Sequence, residues 1–161
     1  MATVIRKLEL RDLEESAATV RESFGTVAAG FGLTRENCPT NGAFTREAHL
    51  EDDHRNGDLM YGLYVGGVQA GFAELRRGDP THFHLRKLAV RPADRHRGFG
   101  TRLLEFVCDA ARELGGKKIS LGIIEKNAVL KEWYIRNGFI HTGTREYSSL
   151  PFIVGLMERS L

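Results

Sequence analysis

The chain has 161 residues, of which 42% are hydrophobic and 27% charged, and its formal net charge is +2. This balance is typical of one globular domain over residues 1–161, and it excludes a disordered or fibrous chain. The basic residues are spread along the sequence, which disfavours nucleic-acid binding. The first thirty residues contain no apolar signal-peptide core, and no apolar stretch approaches membrane-spanning length, so we expect a cytoplasmic protein.

The first third of the chain predicts one strand and two helices. Alternating apolar and charged residues indicate a strand over Val4–Leu10, and Asp12 then provides an N-cap for a helix over Leu13–Ala29. Gly, Pro and Asn residues mark a loop over 30–41, before a second helix over Thr45–Arg55.

The middle of the chain predicts three strands. Gly66-Gly67 joins strands over Leu59–Val65 and Val68–Leu75 in a tight hairpin. A break at Gly78-Asp79-Pro80 then leads into a third strand over Thr81–Val90.

The last part alternates helices with strands. An amphipathic helix over Gly98–Leu114 precedes a strongly apolar strand over Lys118–Ile124, and a second helix follows over Asn127–Asn137. Two more strands are predicted over Phe139–Tyr147 and Phe152–Glu158. This order of elements predicts an α/β fold, a mixed sheet with helices on its faces.

The connection that follows Val90 is rich in Arg and Gly residues. The first turn of a helix has free backbone N–H groups and the positive end of the helix dipole, and Gly98 and Gly100 would let a phosphate approach this turn closely. The segment has no third glycine at dinucleotide spacing and no Gly-Lys-Ser/Thr sequence, which excludes a Rossmann fingerprint and a Walker loop. By itself, a Gly-x-Gly pair is also typical of a flexible turn.

The segment Arg95-x-x-Gly98-x-Gly100, directly after Leu88-Ala89-Val90, resembles the pyrophosphate loop of the GNAT N-acetyltransferase superfamily, and the resemblance extends from about Phe83 to Phe139. It implies the GNAT acyl-CoA N-acyltransferase fold, with a central, mostly antiparallel sheet flanked by helices, and acetyl-coenzyme A as cosubstrate. Backbone N–H groups of residues 95–101 would hold the pyrophosphate, and the backbone of Leu88 and Val90 would pair with the pantetheine arm like an added strand. The cofactor-binding residues implied by the resemblance are Leu88, Ala89, Val90, Arg95, His96, Arg97, Gly98, Phe99, Gly100, Thr101, Asn127 and Lys131.

The helix predicted over Asn127–Asn137 carries the second half of the implied site. Steps of four and seven residues place Asn127, Lys131 and Tyr134 on one helix face. The resemblance implies that Asn127 lies against the pantetheine and that the Tyr134 hydroxyl lies near the thioester sulfur. A phenol there can donate a proton to the departing thiolate. Tyr134 could instead be a core aromatic residue.

An alkylammonium acceptor must lose a proton before its nitrogen can attack, so the site needs a base. His84 is the first candidate, because imidazole titrates near neutral pH and some family members use Glu or His at this place. Glu74 is the second, because burial can raise the pKa of a carboxyl into the useful range. Either residue could instead be purely structural.

The cysteine and histidine spacing gives no support to a metal centre. The histidines do not cluster with carboxylates at metal-ligand spacing, and Cys38 and Cys108 show neither zinc-site nor disulfide spacing. We therefore expect no metal and no cysteine nucleophile.

The resemblance implies that residues 24–44 and 146–152 form the acceptor-binding site. The second of these segments could also contribute to a homodimer surface. The acidic run Glu51-Asp52-Asp53 could attract a cationic acceptor, although such a run is usually a solvated face. We expect a small-molecule N-acetyltransferase that works by direct attack, with backbone groups near Val90 polarising the carbonyl and Tyr134 as acid. A protein or peptide N-acetyltransferase and a non-catalytic acetyl-CoA-binding module stay open, and we expect no nucleic-acid or membrane partner.

Overall fold

A computed structural model describes residues 2–161, and it contains the predicted elements in the predicted order. They are β1 (Thr3–Lys7), α1 (Leu13–Gly30), α2 (Glu47–Arg55), β2 (Leu59–Val65), β3 (Val68–Asp79), β4 (His82–Val90), α3 (Phe99–Glu113), β5 (Lys118–Ile124), α4 (Ala128–Arg136), β6 (Ile140–Arg145) and β7 (Val154–Ser160). The predicted α/β architecture, a mostly antiparallel mixed sheet flanked by helices, is confirmed.

The seven strands form one sheet in the order β1-β2-β3-β4-β5-β7-β6. Every neighbouring pair is antiparallel except β4 and β5, which pair in parallel over only three residues, from His82–Lys118 to His84–Ser120. Beyond His84 and Ser120 the two strands have no ladder. The sheet therefore forks at its centre, and the fork opens toward the C-terminal ends of β4 and β5.

Each face of the sheet has its own apolar core. On one face, α3 buries Leu103, Leu104 and Val107 against the sheet, and α4 adds Tyr134 to the same cluster. On the other face, α1 and α2 bury a smaller cluster that includes Leu13 of α1. The apolar spacing within α3 thus matches the face that the helix buries.

Two local expectations are corrected by the structure. The β3 strand does not end at Leu75 but continues to Asp79, because its ladder with β4 runs on, through a bulge, to the Asp79–His82 pair. Asp12 precedes α1, but its side chain makes no hydrogen bond to the first turn of that helix. Its carboxylate instead accepts hydrogen bonds from both terminal nitrogens of Arg6 at 3.0 Å and from the backbone N–H of Glu9 at 2.9 Å.

A search of residues 2–161 finds no helix with the length and apolar character needed to cross a membrane.

We predict that Leu104→Ala lowers the free energy of unfolding by about 2–5 kcal/mol, because it leaves a cavity under a fully buried side chain. Leu114→Ala, at the end of the same helix, is the control: this side chain is 46% exposed, so we expect a change of roughly 1 kcal/mol or less. Urea denaturation of both variants measures the difference. Equal losses would contradict the burial of Leu104 between α3 and the sheet.

Candidate active site

A cleft of about 770 Å³ fills the fork between β4 and β5. Leu88 and Val90 line one wall, and Gly122 and Ile124 line the opposite wall. The ends of α1 and α4 and the loop before β7 complete it. Because β4 has no strand partner on this side beyond His84, its backbone groups are available to a bound molecule.

The loop between β4 and α3 offers a row of free backbone donors. His96 (φ 62°) and Gly98 (φ 78°) both adopt the left-handed conformation, which turns successive N–H groups toward one side. Within residues 2–161, the N–H groups of residues 96–101 find no hydrogen-bond acceptor. The N–H of Arg95 is different, because it bonds to the Pro92 carbonyl at 3.4 Å. The row of free N–H donors therefore begins at His96, one residue later than the loop predicted to hold the pyrophosphate.

The side chains of this loop have structural partners. Arg95 donates hydrogen bonds to the Thr26 hydroxyl (3.0 Å) and to the Ser23 carbonyl (2.9 Å), so it fastens the loop to α1. Arg97 pairs with Asp94 at 3.1 Å and does not line the cleft. Arg95 still borders the cleft, but its guanidinium is already engaged with α1.

The two glycines of the loop have different reasons to be glycine. Gly98 has open space where a Cβ would lie, so its left-handed backbone explains the residue type. A Cβ at Gly100 would lie 3.2 Å from Cζ2 of Trp133, so this glycine lets α4 pack closely on the first turn of α3. The contact with Trp133 was not predicted, because nothing in the local sequence indicates which residues meet across helices.

Asn127 and Lys131 were predicted to share one helix face toward the cofactor, but only Asn127 lines the cleft. Asn127 is the N-cap of α4: its side-chain oxygen accepts a hydrogen bond from the Leu130 N–H at 3.1 Å, and the residue lines the cleft. Lys131 bonds to Glu125 and does not line the cleft. The structure therefore does not support Lys131 as a cofactor-binding residue. Ala89 is also turned away, because it packs in the core beneath α1.

Tyr134 stands in the cleft wall with its ring almost fully buried. The ring makes edge-to-face contacts with Trp133 and Phe139, at centroid distances of 4.9 and 5.3 Å. Its hydroxyl has no hydrogen-bond partner among the described residues. Burial raises the pKa of Tyr134, so the phenol stays protonated at neutral pH and can act as a donor.

His84 lies at the base of the fork and does not line the cleft. Its Nδ1 is 2.9 Å from the Ser120 hydroxyl, which is also 2.8 Å from Nε2 of His82. Burial, together with the neighbouring His82 and Arg76, lowers the pKa of His84. The imidazole is therefore neutral at neutral pH, the form that a base requires.

Glu74 does not project into the cleft, so that expectation is wrong. Its side chain is 0% exposed and lies behind Arg86 and Lys87, which do line the cleft. Burial, and a hydrogen bond to Asp58, raise the pKa of Glu74 to about 8. Glu74 therefore carries a proton at neutral pH and is not a suitable base there.

Glu74 belongs to a buried ionic cluster, which we define as Asp53, Asp58, Glu74, Arg76, Arg86 and Lys87. Oxygen atoms of the three acidic members lie within 4.8 Å of one another, and the three cations surround them. The acidic run is therefore not free to attract a cationic acceptor, because Asp53 is paired here while Glu51 and Asp52 pair with Arg55.

The side of the cleft on which the sequence predicts the acceptor is mainly apolar. Phe24 and Val27 of α1 face this side, and Leu150 and Phe152 from the loop before β7 lie in the same wall, as the sequence predicts for both segments. The exceptions are Asn41 and the two cations Arg86 and Lys87, which were not predicted as acceptor-site residues.

This forked sheet defines a class of acyltransferase folds. A crystal structure of the PaiA N-acetyltransferase from Thermoplasma acidophilum in complex with coenzyme A matches it with a TM-score of 0.80 over 100% of both chains, at 24% identity. The ribosomal-protein-S18-alanine N-acetyltransferase of Escherichia coli matches with a TM-score of 0.78 over 99% of this chain and 94% of that one, at 20% identity. At these sequence identities, the structural similarity shows that the fold is shared.

Sequence comparison gives the family. The family model described as "Acetyltransferase (GNAT) family" matches residues 26–139. A relative from Lactobacillus delbrueckii subsp. lactis, an uncharacterized N-acetyltransferase in the pepI 3' region, is 30% identical over 158 residues, which cover 90% of this chain and 86% of the relative. The chain therefore belongs to the GNAT family of acetyltransferases.

We predict that Glu74→Gln changes how stability depends on pH. The folded pKa of Glu74 lies above its ordinary value of 4.5, so its contribution to stability is complete below about pH 4.5 and is lost as the pH rises to about 8. Glutamine cannot ionise, so the stability of the variant relative to wild type should increase by roughly 2–4 kcal/mol across this window.

Thermal unfolding of both proteins at pH 5, 6, 7 and 8 tests this prediction. Glu105→Gln is the control, because its hydrogen bond to Arg159 lowers the pKa of Glu105 and the carboxylate stays ionised throughout the window. Wild-type and Glu74→Gln curves that run parallel would contradict the assignment of a proton to Glu74.

Proposed function

We propose that this chain transfers an acetyl group from acetyl-coenzyme A to the primary amine of a small molecule, by direct attack. The observation that carries the proposal is the row of unpaired backbone N–H groups over residues 96–101, at the mouth of a cleft whose β4 wall is an unpaired strand edge. A diphosphate fits such a row, because the free N–H groups and the α3 dipole both attract anions.

The rest of the cleft suits the remaining length of coenzyme A. Leu88 and Val90 offer backbone groups along the free edge of β4, the mode by which a peptide-like chain adds to a sheet. Asn127 lines the opposite side and keeps its amide N–H groups free, because its side-chain oxygen caps α4. Bound there, acetyl-coenzyme A supplies an acetyl thioester at the fork.

The transfer needs three proton movements. The alkylammonium loses one proton to a base before attack, the nitrogen loses a second as it bonds to the acetyl carbon and the carbon–sulfur bond breaks, and the departing thiolate gains one. Tyr134 is the proton donor, because it is protonated and lines the cleft. His84 is the remaining candidate base, since it is neutral and lies at the base of the same fork. Because it does not line the cleft, it would receive the proton through a water molecule.

Direct attack agrees with the state of the cysteines. Cys38 and Cys108 are both buried, and burial raises the pKa of each thiol, that of Cys108 to about 11. A thiol in that state is a poor nucleophile. An acyl-enzyme on cysteine therefore has no support.

A peptide acceptor is the second candidate, because the chain shares its fold with an enzyme named for acting on the alanine of ribosomal protein S18. The two candidate functions differ in which acceptor the protein acetylates. A panel containing phenylalanine, phenethylamine, spermidine and an alanine-initiated peptide, followed by mass spectrometry of the products, separates them.

We predict that acetyl-coenzyme A binds the wild-type protein and that Gly98→Glu weakens this binding by about 100-fold or more, because a carboxylate replaces the phosphate at the anion-binding row. Gly115→Glu is a matched control: Gly115 also has a left-handed backbone (φ 90°) and open space around it, but it lies at the far end of α3. Calorimetric titration of the three proteins measures the effect. No binding by folded wild type would refute the cosubstrate, and equal affinities of the two variants would refute the location.

We predict that Tyr134→Phe lowers kcat by about 100-fold while the dissociation constant for acetyl-coenzyme A changes by less than about threefold, because only a transition-state proton donor is removed. Tyr61→Phe, at a buried tyrosine of the same apolar cluster that does not line the cleft, should leave kcat unchanged. Turnover is measured with whichever amine of the panel reacts. A normal kcat in Tyr134→Phe would assign the tyrosine to the core instead.

A further inference from the structure

The acceptor side of the cleft contains two cations in a mainly apolar wall, where Ser23 and Asn41 add neutral polar groups. Phe24 and Val27 provide the apolar surface on α1, and Phe152 provides it on the loop before β7. Arg86 and Lys87 come from β4, immediately before the strand segment that lies along the cosubstrate cleft.

A β-bulge explains why two consecutive strand residues point the same way. The ladder pairs Leu75 with Leu85 but Glu74 with Lys87, so Arg86 is an extra residue without a partner. Side chains normally alternate between the faces of a sheet, and a bulge suspends this alternation. Arg86 and Lys87 consequently both reach Asp53 of α2, on the α1/α2 face.

The ionic cluster is layered, with carboxylates inside and cations outside. The side chains of Asp58 and Glu74 are 2% and 0% exposed, whereas those of Arg86 and Lys87 are 33% and 16% exposed. Arg86 uses only its Nη1 atom in these ion pairs, so Nε and Nη2 remain available. Whatever enters the cleft therefore meets positive charge and not the carboxylates below it.

Among the described residues, no unpaired carboxylate lines the cleft. Among the described residues that line it, Asp94 is the sole carboxylate, and it is paired with Arg91 and Arg97. A polyamine would bring additional positive charge to this wall without finding a counter-ion. An acceptor with a carboxylate would instead meet two charged donors in a partly buried setting, where such bonds are strongest.

We propose that the acceptor is an apolar α-amino acid, whose carboxylate is bound by Arg86 and Lys87 and whose side chain packs against Phe24, Val27 and Phe152. This inference rests on the proposed function and specifies its acceptor. The α-amino group, one carbon from the carboxylate, then lies beside the β4 edge where the acetyl group is delivered. A peptide N-terminus lacks this carboxylate, so the arrangement selects free amino acids over peptides.

Matched acceptors test the proposal on the wild-type protein. Initial rates are compared for L-phenylalanine and two analogues that keep its aromatic ring. L-Phenylalaninamide lacks the negative charge of the carboxylate, and phenethylamine lacks the whole carboxyl group. Spermidine and an alanine-initiated peptide complete the set. We expect kcat/KM for L-phenylalanine to exceed that for the amide and for phenethylamine by about 10- to 100-fold, the usual loss when a charged hydrogen bond is removed.

Variants assign the effect to the two cations. Arg86→Gln should lower kcat/KM for L-phenylalanine by about tenfold or more and leave phenethylamine within about twofold, while Arg86→Lys recovers part of the loss. Lys117→Gln, an exposed lysine outside the cleft, is the control. Lys87→Gln is made together with Glu74→Gln, because Glu74 is the buried acid that Lys87 contacts and would otherwise lose this partner.

The outcomes separate this proposal from the proposed function. Failure of folded wild type to bind acetyl-coenzyme A refutes the proposed function. Binding of acetyl-coenzyme A together with preferred turnover of spermidine, phenethylamine or the peptide, or with no turnover of any amino acid, overturns the amino-acid acceptor alone. Variants that lower kcat/KM equally for all acceptors would also overturn the amino-acid acceptor, because the two cations would then act only on the fold.

Discussion

The early end of the β4–β5 ladder is the constraint on which the site depends. Parallel strands normally continue to pair, yet here pairing stops after His84 and Ser120. The unused edge of β4 then needs a partner, since exposed backbone donors and acceptors are either hydrated or bound by a ligand. The anion-binding row of residues 96–101 follows directly from the end of β4, so the same strand positions both backbone features.

The second determinant is the bulge at Arg86, which sets the charge of the cleft wall formed by β4. In a regular strand that keeps Leu85 on the α3 face, Arg86 would lie on the α1/α2 face and Lys87 would return to the α3 face. With the extra residue, Arg86 and Lys87 both reach Asp53 on the α1/α2 face. A one-residue irregularity in a ladder therefore decides whether this wall presents one cation or two.

The sequence predicted features that have a local signal. Apolar periodicity and turn residues located the seven strands and the four α-helices, and the Arg- and Gly-rich connection indicated an anion site at the start of α3, because these signals lie within a short stretch of chain. Predictions failed where a distant partner decides. Glu74 was expected in the cleft, but Arg86 and Lys87 cover it, and Lys131 was expected at the cofactor, but it pairs with Glu125. Neither the bulge nor the Trp133 contact at Gly100 has a sequence pattern of its own.

The hydrogen bonds of Arg95 connect the two ends of the cleft. This residue lies in the loop that carries the free N–H groups, and it donates hydrogen bonds to Ser23 and Thr26, in the same helical turn that presents Phe24 and Val27 to the cleft. A ligand that shifts α1 would therefore also shift the loop. Coupling of this kind is reciprocal, so each of two ligands would change the affinity of the other by the same factor. One guanidinium group would then set how strongly the two ligands help or hinder each other, without setting the order in which they bind.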